Sequence, residues 1–271
     1  MNTDDFDILI IGAGISGIGI ACRIAQRFPG KRMAILERRS AVGGTWDLFR
    51  YPGIRSDSDM FSYAYDLRPW LRPEILASGE QILGYLDATI DDFGIRDRIV
   101  FGQQVESADW NSADTVWRVT AYDQEKQERR QYVARFLVVS TGYYDHAQGY
   151  MPEFPGMHAF DGQVIHPQHW PDDLDYAGKS VVVIGSGATA ATVVPAMAGT
   201  AGHVTMLQRS PSYYFDVPST DIVFRILRRF LPAKLAARGA RSRSHGLQHV
   251  LFNACRRWPN FMRRLLLRRV R

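Results

Sequence analysis

One pattern restricts this chain more than any other, and it occurs twice. The apolar run Phe6–Ile11 ends in Gly12-Ala-Gly14-Ile-Ser-Gly17 and gives way to a stretch of helical spacing, which Phe28-Pro29-Gly30 stops. About 170 residues later, Ser180–Ile184 ends in Gly185-Ser-Gly187-Ala-Thr-Ala190 and again runs into a helical stretch. In each loop the first glycine permits a tight turn and the second lets another group approach the backbone. The third position, Gly17 or Ala190, lets the helix lie close on the strand. A second short strand follows each helix, Met33–Glu37 in one case and Val204–Leu207 in the other. Strand, glycine turn, helix and parallel strand open a doubly wound sheet. The sequence therefore predicts an α/β chain with two Rossmann-like dinucleotide-binding units.

The ends of the second strands distinguish the two units. Glu37, 20 residues after Gly17, is placed to accept from ribose hydroxyls, with the phosphates at the N-terminus of the preceding helix. The second unit has Gln208 there, followed by Arg209. A carboxylate would repel a 2′-phosphate, whereas a neutral residue beside a guanidinium accommodates one, so the pattern predicts NADPH. Arg209 is also compatible with a solvated surface arginine. Two such sites, one of them for NADPH, imply hydride transfer to a bound flavin. A disulfide reductase would need a redox cysteine pair, but the two cysteines, Cys22 and Cys255, are far apart and Cys22 has no cysteine neighbour. An oxygen-using flavoprotein needs no such pair.

Composition sets further bounds. With 46% hydrophobic residues, 271 residues can fill one large or two modest domains. The start, MNTDDFDILIIG, is acidic where a signal peptide would be basic, and no apolar run reaches the roughly 18 residues of a membrane span. With two unpaired cysteines, the expectation is a cytoplasmic protein, soluble or at most peripheral to a membrane. Between the glycine loops, residues 41–73 read as loops, the stretch around Glu80–Phe93 as a helix, and 114–123 and 129–142 as antiparallel strands about a polar turn. FDGQVIHPQHWP, Phe160 to Pro171, reads as neither helix nor strand. Its His166 and His169, with His158 and Asp172 nearby, suggest a metal cluster, but Pro167 breaks any helix that would align them and no third ligand has a diagnostic spacing. No metal is expected, and His166 reads as a linker histidine bonded to backbone.

That same stretch carries a resemblance. Phe160, Gly162, His166 and Trp170 fill the fingerprint FxGxxxHxxxW(P/D) of class B flavoprotein monooxygenases of the Baeyer-Villiger type. Gly43-Gly44-Thr45-Trp46, Tyr51-Pro52-Gly53 and Asp57 fill a second motif, GGxWxxxx(F/Y)PGxxxD. The wording is most similar to the ethionamide-activating subgroup; N-hydroxylating and flavin-containing relatives usually place Phe or Tyr at position 170. The resemblance implies FAD held by Gly12, Gly14, Gly17 and Glu37, with Gly43, Gly44 and Trp46 beside the flavin. It implies NADPH held by Gly185, Ser186, Gly187, Thr189 and Arg209. In the implied cycle NADPH reduces FAD, O2 adds at flavin C4a, and the peroxide inserts oxygen into a ketone or oxidises a sulfur compound. Asp57 would orient an active-site arginine; on composition alone it reads as a turn residue.

The domain organisation expected is an FAD-binding part over 1–150, a fingerprint linker over 151–179, the start of an NADPH-binding part over 180–220, and a basic helical segment over 221–271. Nothing after Arg209 offers strands that return to the first sheet, and the family's active-site arginine is not reached. The expectation is an N-terminal portion, poorly active alone, and a non-catalytic nucleotide-binding remnant is the alternative. Residues 221–271 hold 14 of the 33 basic residues and one of the 28 acidic ones, a charge of +13 against −8 for residues 1–220. Helices packing on the rest of a longer protein, contact with an acidic membrane surface, and, least of all, nucleic acid are the readings of that segment.

Overall fold

The computed structural model describes residues 3–268 except 211, 213, 215 and 216. In chain order the first elements are β1 (Thr3–Ile11), α1 (Ile15–Arg27), β2 (Met33–Leu36), α2 (Thr45–Leu48), α3 (Met60–Tyr63) and α4 (Gly79–Asp92). Strands β3 (Ile99–Val100), β4 (Gln103–Asn111), β5 (Val116–Asp123) and β6 (Glu128–Val139) follow. The remainder comprises β7 (Ser180–Ile184), α5 (Ala188–Met197), β8 (His203–Leu207), α6 (Ile222–Phe230), α7 (Ala233–Arg257) and α8 (Pro259–Leu267). The chain separates into two compact units, residues 1–50 with 79–171, and 51–78 with 172–271.

The first unit is built on a six-stranded sheet in the order β3-β2-β1-β6-β5-β4. β3, β2, β1 and β6 run parallel, and β6-β5-β4 form an antiparallel meander. Alternation along the strands sorts the core onto two faces. Leu9, Ala34 and Leu36 join Val119, Ala121, Tyr132 and Ala134 in one buried cluster. Ile10 and Ile35, paired across β1 and β2, have the opposite parity and are also fully buried, as are Ile18 of α1 and Ile82, Leu86 and Ile90 of α4. Burying each of these side chains contributes roughly 1.5–3 kcal/mol. The Tyr132 hydroxyl would be costly inside this core without a partner; it donates to Gln103 Oε1 at 2.8 Å, and burial raises its pKa. The turn after β5 is fixed by Asp123, which accepts from the amides of Glu125 and Lys126 and whose pKa is lowered chiefly by the Lys126 bond.

The second unit holds the parallel pair β7-β8 with α5 against it, burying Ala190, Val193 and Met197. Helices α6, α7 and α8 belong to it as well, and residues 269–271 of the basic segment lie outside the described residues. Asp221 caps α6 by accepting from Phe224 N and pairs with Arg243 of α7. Phe224 packs on Phe61 of α3 at 5.1 Å between ring centroids, and Ala236, Ala237 and Ala240 are buried on α7. Segment 51–78 is seated on this unit: a Cβ at Gly53 would lie 2.7 Å from the carbonyl oxygen of Thr192 in α5. No helix among the described residues is long and apolar enough to cross a membrane.

The strands expected after each glycine loop form within a residue or two, and the predicted helix spans Gly79–Asp92. β4 was not expected, because QQVESADWN is polar and shows no clean alternation; its register also shifts between Val105 and Ser107. The loop-like stretch 41–73 contains the one-turn helices α2 and α3.

Candidate functional site

At its first and third glycines the first glycine loop is shaped by backbone contacts that leave no room for a side chain. Gly12 adopts φ +100°, and a Cβ there would stand 2.6 Å from the carbonyl oxygen of Ser140, just past β6. A Cβ on Gly17 would stand 1.9 Å from the carbonyl oxygen of Gly12, so α1 leaves directly beside the turn. Gly14 is the N-cap of the 13-residue α1, and no side chain caps that end. A Cβ on Gly14 would meet only the Cα of Gly44, at 3.7 Å. The loop is thus a cradle with bare backbone on its outer side, placed where a helix dipole attracts phosphate.

Glu37 stands at the end of β2 and is 5% exposed. Its Oε2 accepts from Ala13 N at 2.7 Å and its Oε1 from Arg39 N at 2.9 Å. Each carboxylate oxygen retains a second lone pair, so the acid is pre-oriented and can still accept hydroxyls. His146, in the segment after β6, lies near Glu37, Arg38 and Arg39. Burial first, and then the two arginines, hold its pKa below the ordinary imidazole range, so it is neutral at pH 7. Gly43 and Gly44 form the next turn, Trp46 in the first turn of α2 donates its backbone N–H to the Gly43 carbonyl at 3.1 Å, and Gly43 N donates to Ala13 O at 3.0 Å. The Gly43–Trp46 half of the second motif therefore borders the first glycine loop. The other half, Tyr51–Gly53 and Asp57, belongs to the second unit, where Asp57 is exposed.

The fingerprint segment, in the first unit, is a folded strap. The His166 imidazole rests on Gly149, where a Cβ would stand 2.1 Å from the ring. Its Nδ1 accepts from Gln168 N at 3.2 Å, capping the 3-10 turn Pro167–His169. Gln168, outside the fingerprint, is 5% exposed and donates to the Asp145 carbonyl at 2.6 Å. The Phe160 ring covers Gly162 so closely that a Cβ there would stand 2.4 Å from it. Trp170 is partly buried. The expected backbone-bonded role of His166 thus has a specific geometry, and Gln168 and Gly149 are residues that the motif does not mark.

In the second unit Gly185 adopts φ +136° and Gly187 is the N-cap of α5, again without a side-chain cap. Ser186 Oγ bonds Ser212 Oγ at 2.9 Å, and Tyr214 donates its hydroxyl to the Ser186 carbonyl at 3.0 Å. Thr189 stands in the first turn of α5, where its carbonyl accepts from Thr192 Oγ. Gln208 and the exposed Arg209 follow β8. Cys22 is fully buried in α1, and burial pushes its thiol pKa up to about 12, which leaves no thiolate at neutral pH for redox exchange.

Each glycine loop stands between a strand and the start of a helix, and a parallel strand follows, so the class the fold defines is an α/β chain with two Rossmann-like units. The chain matches the family Flavin-binding monooxygenase-like over residues 6–220, and it belongs to that family. It is 53% identical over 270 residues to the putative FAD-containing monooxygenase MymA of Mycobacterium tuberculosis, covering 98% of this chain and 54% of the relative. It is 47% identical over 266 residues to the FAD-containing monooxygenase EthA of Mycolicibacterium smegmatis, again covering 98% and 54%. Cyclohexanone monooxygenase from Rhodococcus sp. Phi1 bound to NADP+ superposes with a TM-score of 0.69 at 27% identity, covering 92% of this chain and 45% of that one. The chain spans about half the length of the curated relatives it matches.

Proposed function

We propose that this chain carries the cofactor-binding part of an FAD- and NADPH-dependent monooxygenase of the Baeyer-Villiger type, which inserts one oxygen atom of O2 into a ketone or oxidises a sulfur compound. The observation that carries this is the doubled glycine cradle with Glu37 after the first and Gln208-Arg209 after the second. Relatives described as FAD-containing monooxygenases and a structural neighbour holding NADP+ support it. FAD, when bound, supplies the redox centre that accepts hydride from NADPH and reacts with O2. The chain's own part is to bind and orient. The Gly12–Gly17 loop would take the pyrophosphate and Glu37 the ribose, with Gly44 and Trp46 alongside. In the second unit Gly185, Ser186, Gly187 and Thr189 would take phosphate, and Arg209 would pair with the 2′-phosphate. Asp57 would serve the reacting end. A disulfide-exchange reductase is disfavoured by the buried, protonated Cys22.

The test is reconstitution of the purified chain with FAD, followed by NADPH and NADH titrations under anaerobic conditions. Binding of FAD with a shifted flavin spectrum is expected, and NADPH is expected to bind more tightly than NADH. Arg209→Ala should erase about 10- to 100-fold of that preference, the worth of one charge-assisted phosphate contact. A chain that takes up no flavin, or an Arg209→Ala variant with unchanged preference, sinks the assignment.

A further reading, of a cytoplasmic protein in peripheral contact with an anionic membrane surface, is favoured by the exposed Ile222, Ile226 and Phe230 of α6 beside Arg225 and Arg229. It expects co-sedimentation with anionic lipid vesicles and none with neutral ones; equal recovery with both, or with neither, rules it out.

A further inference from the structure

Asp47 lies in the first turn of α2 and is 9% exposed, although neither motif asks for a carboxylate there. A buried carboxylate persists only where it is paired. Arg39 Nε donates to Asp47 Oδ2 at 2.8 Å, and Arg39 Nη2 lies 2.6 Å from the same oxygen. Arg50 Nη2 reaches Asp47 Oδ1 at 3.4 Å, and Arg50 Nε the Asp47 carbonyl at the same distance. The Arg39 side chain is the more enclosed partner, 26% exposed against 62% for Arg50, and its contact is the shorter, so Arg39 carries most of the interaction.

These bonds belong to a longer series. Ala13 N–H in the first glycine loop donates to Glu37, and Arg39 N–H donates to the other oxygen of Glu37. The Arg39 guanidinium then holds Asp47, whose own N–H donates to the Gly44 carbonyl at 3.2 Å. Gly44, at φ +55°, lies so close to the first loop that a Cβ on it would stand 3.1 Å from Gly14 Cα. Residues 38–46 are therefore a loop closed at its base by Glu37 and across its mouth by the Arg39–Asp47 pair, with the Gly14–Gly44 backbone contact as what that closure sets.

We propose that Asp47, acting through Arg39, is a positioning residue for the dinucleotide site of the first unit. The pair fixes loop 38–46 so that Gly44 borders the phosphate cradle and Glu37 keeps its orientation toward the ribose. This rests on the assignment of that site to FAD. The asymmetry of the contacts gives it a direction: the Arg39 fork matters, and a point charge in its place is not equivalent.

Dissociation constants for FAD and for ADP, with the melting temperature of the nucleotide-free chain, test it. Asp47→Asn should weaken both nucleotides about 10-fold or more, and Arg39→Lys by a smaller factor, while the nucleotide-free melting temperature moves little. The exchanged pair Arg39→Asp with Asp47→Arg should recover part of the lost affinity. Unchanged affinities in Asp47→Asn overturn the inference, as does a loss of affinity that only parallels a loss of folding in both variants and in the exchange. If the unsubstituted chain binds neither nucleotide, the FAD assignment itself fails; if it binds both and the variants bind alike, only the role of Asp47 fails.

Discussion

Gly17→Ala is expected to abolish measurable FAD binding and to lower the melting temperature, whereas Gly14→Ala should abolish binding and leave the fold intact. The two glycines differ in what a methyl group would meet. At position 17 the Cβ would stand 1.9 Å from the Gly12 carbonyl oxygen, with Ile10 of β1 at 3.5 Å behind it, so backbone faces backbone and no side chain can yield. Helix α1 would have to move off β1, and overpacking of this kind costs about 1–3 kcal/mol, or about 2–12 °C in a chain of this size. At position 14 the nearest atom, Gly44 Cα, is at ordinary contact distance, and φ −78° with ψ −175° suits alanine. Folding should tolerate that change or gain by about 0.4–1 kcal/mol from the lower entropy of the unfolded chain. The methyl would nevertheless fill the space over the start of α1 that a pyrophosphate needs. Circular dichroism melts and flavin fluorescence titrations separate the cases. Equal melting temperatures for the two variants, or full FAD affinity in Gly14→Ala, would contradict this account of the loop.

What was legible in the sequence was whatever a local pattern controls. Positive φ at Gly12 and Gly185 and the backbone contact at Gly17 tie those positions to glycine, and the apolar runs marked β2, β7 and β8 within a residue, while β1 begins at Thr3, three residues before the run Phe6–Ile11. The place of Glu37 at the end of β2 was legible because its distance from Gly17 is set by one helix and one strand. Non-local partnerships were not legible. β4 forms because β5 offers it an edge, not because QQVESADWN alternates. Segment 51–78 lies between elements of the first unit in sequence yet is seated on the second, through contacts such as Gly53 with α5 that no spacing announces. Asp47 and Arg39 are eight residues apart across a glycine turn, and only the turn brings them together. Gln168 and Gly149 sit at unmarked positions because their partners are a backbone carbonyl and an imidazole ring, neither of which leaves a compositional trace.

Glu37 is expected to prove structural as well as nucleotide-binding, and its substitution should cost more stability than an exposed carboxylate could. Its two oxygens take the N–H groups of Ala13 and Arg39, the first of these bonds lying in the buried interior of the loop. Glu37→Ala strands both donors, at about 1–3 kcal/mol each where water cannot replace the acceptor, so the nucleotide-free chain should melt about 4–24 °C lower. Glu37→Gln is the sharper probe, because it keeps the volume but turns one acceptor into a donor that faces a backbone N–H. It should therefore lie between Ala and the parent in stability. FAD affinity should fall by a comparable factor in both, since each loses the oriented acceptor at the ribose. Glu37→Asp retains the charge but is one methylene short of spanning Ala13 and Arg39, so charge alone should not restore binding. If Glu37→Gln melted with the parent chain and lost only FAD affinity, the carboxylate would be a ligand-binding group with no part in holding the loop. If Glu37→Asp bound FAD as the parent does, the two-point anchoring seen at the end of β2 would not be what orients the acid.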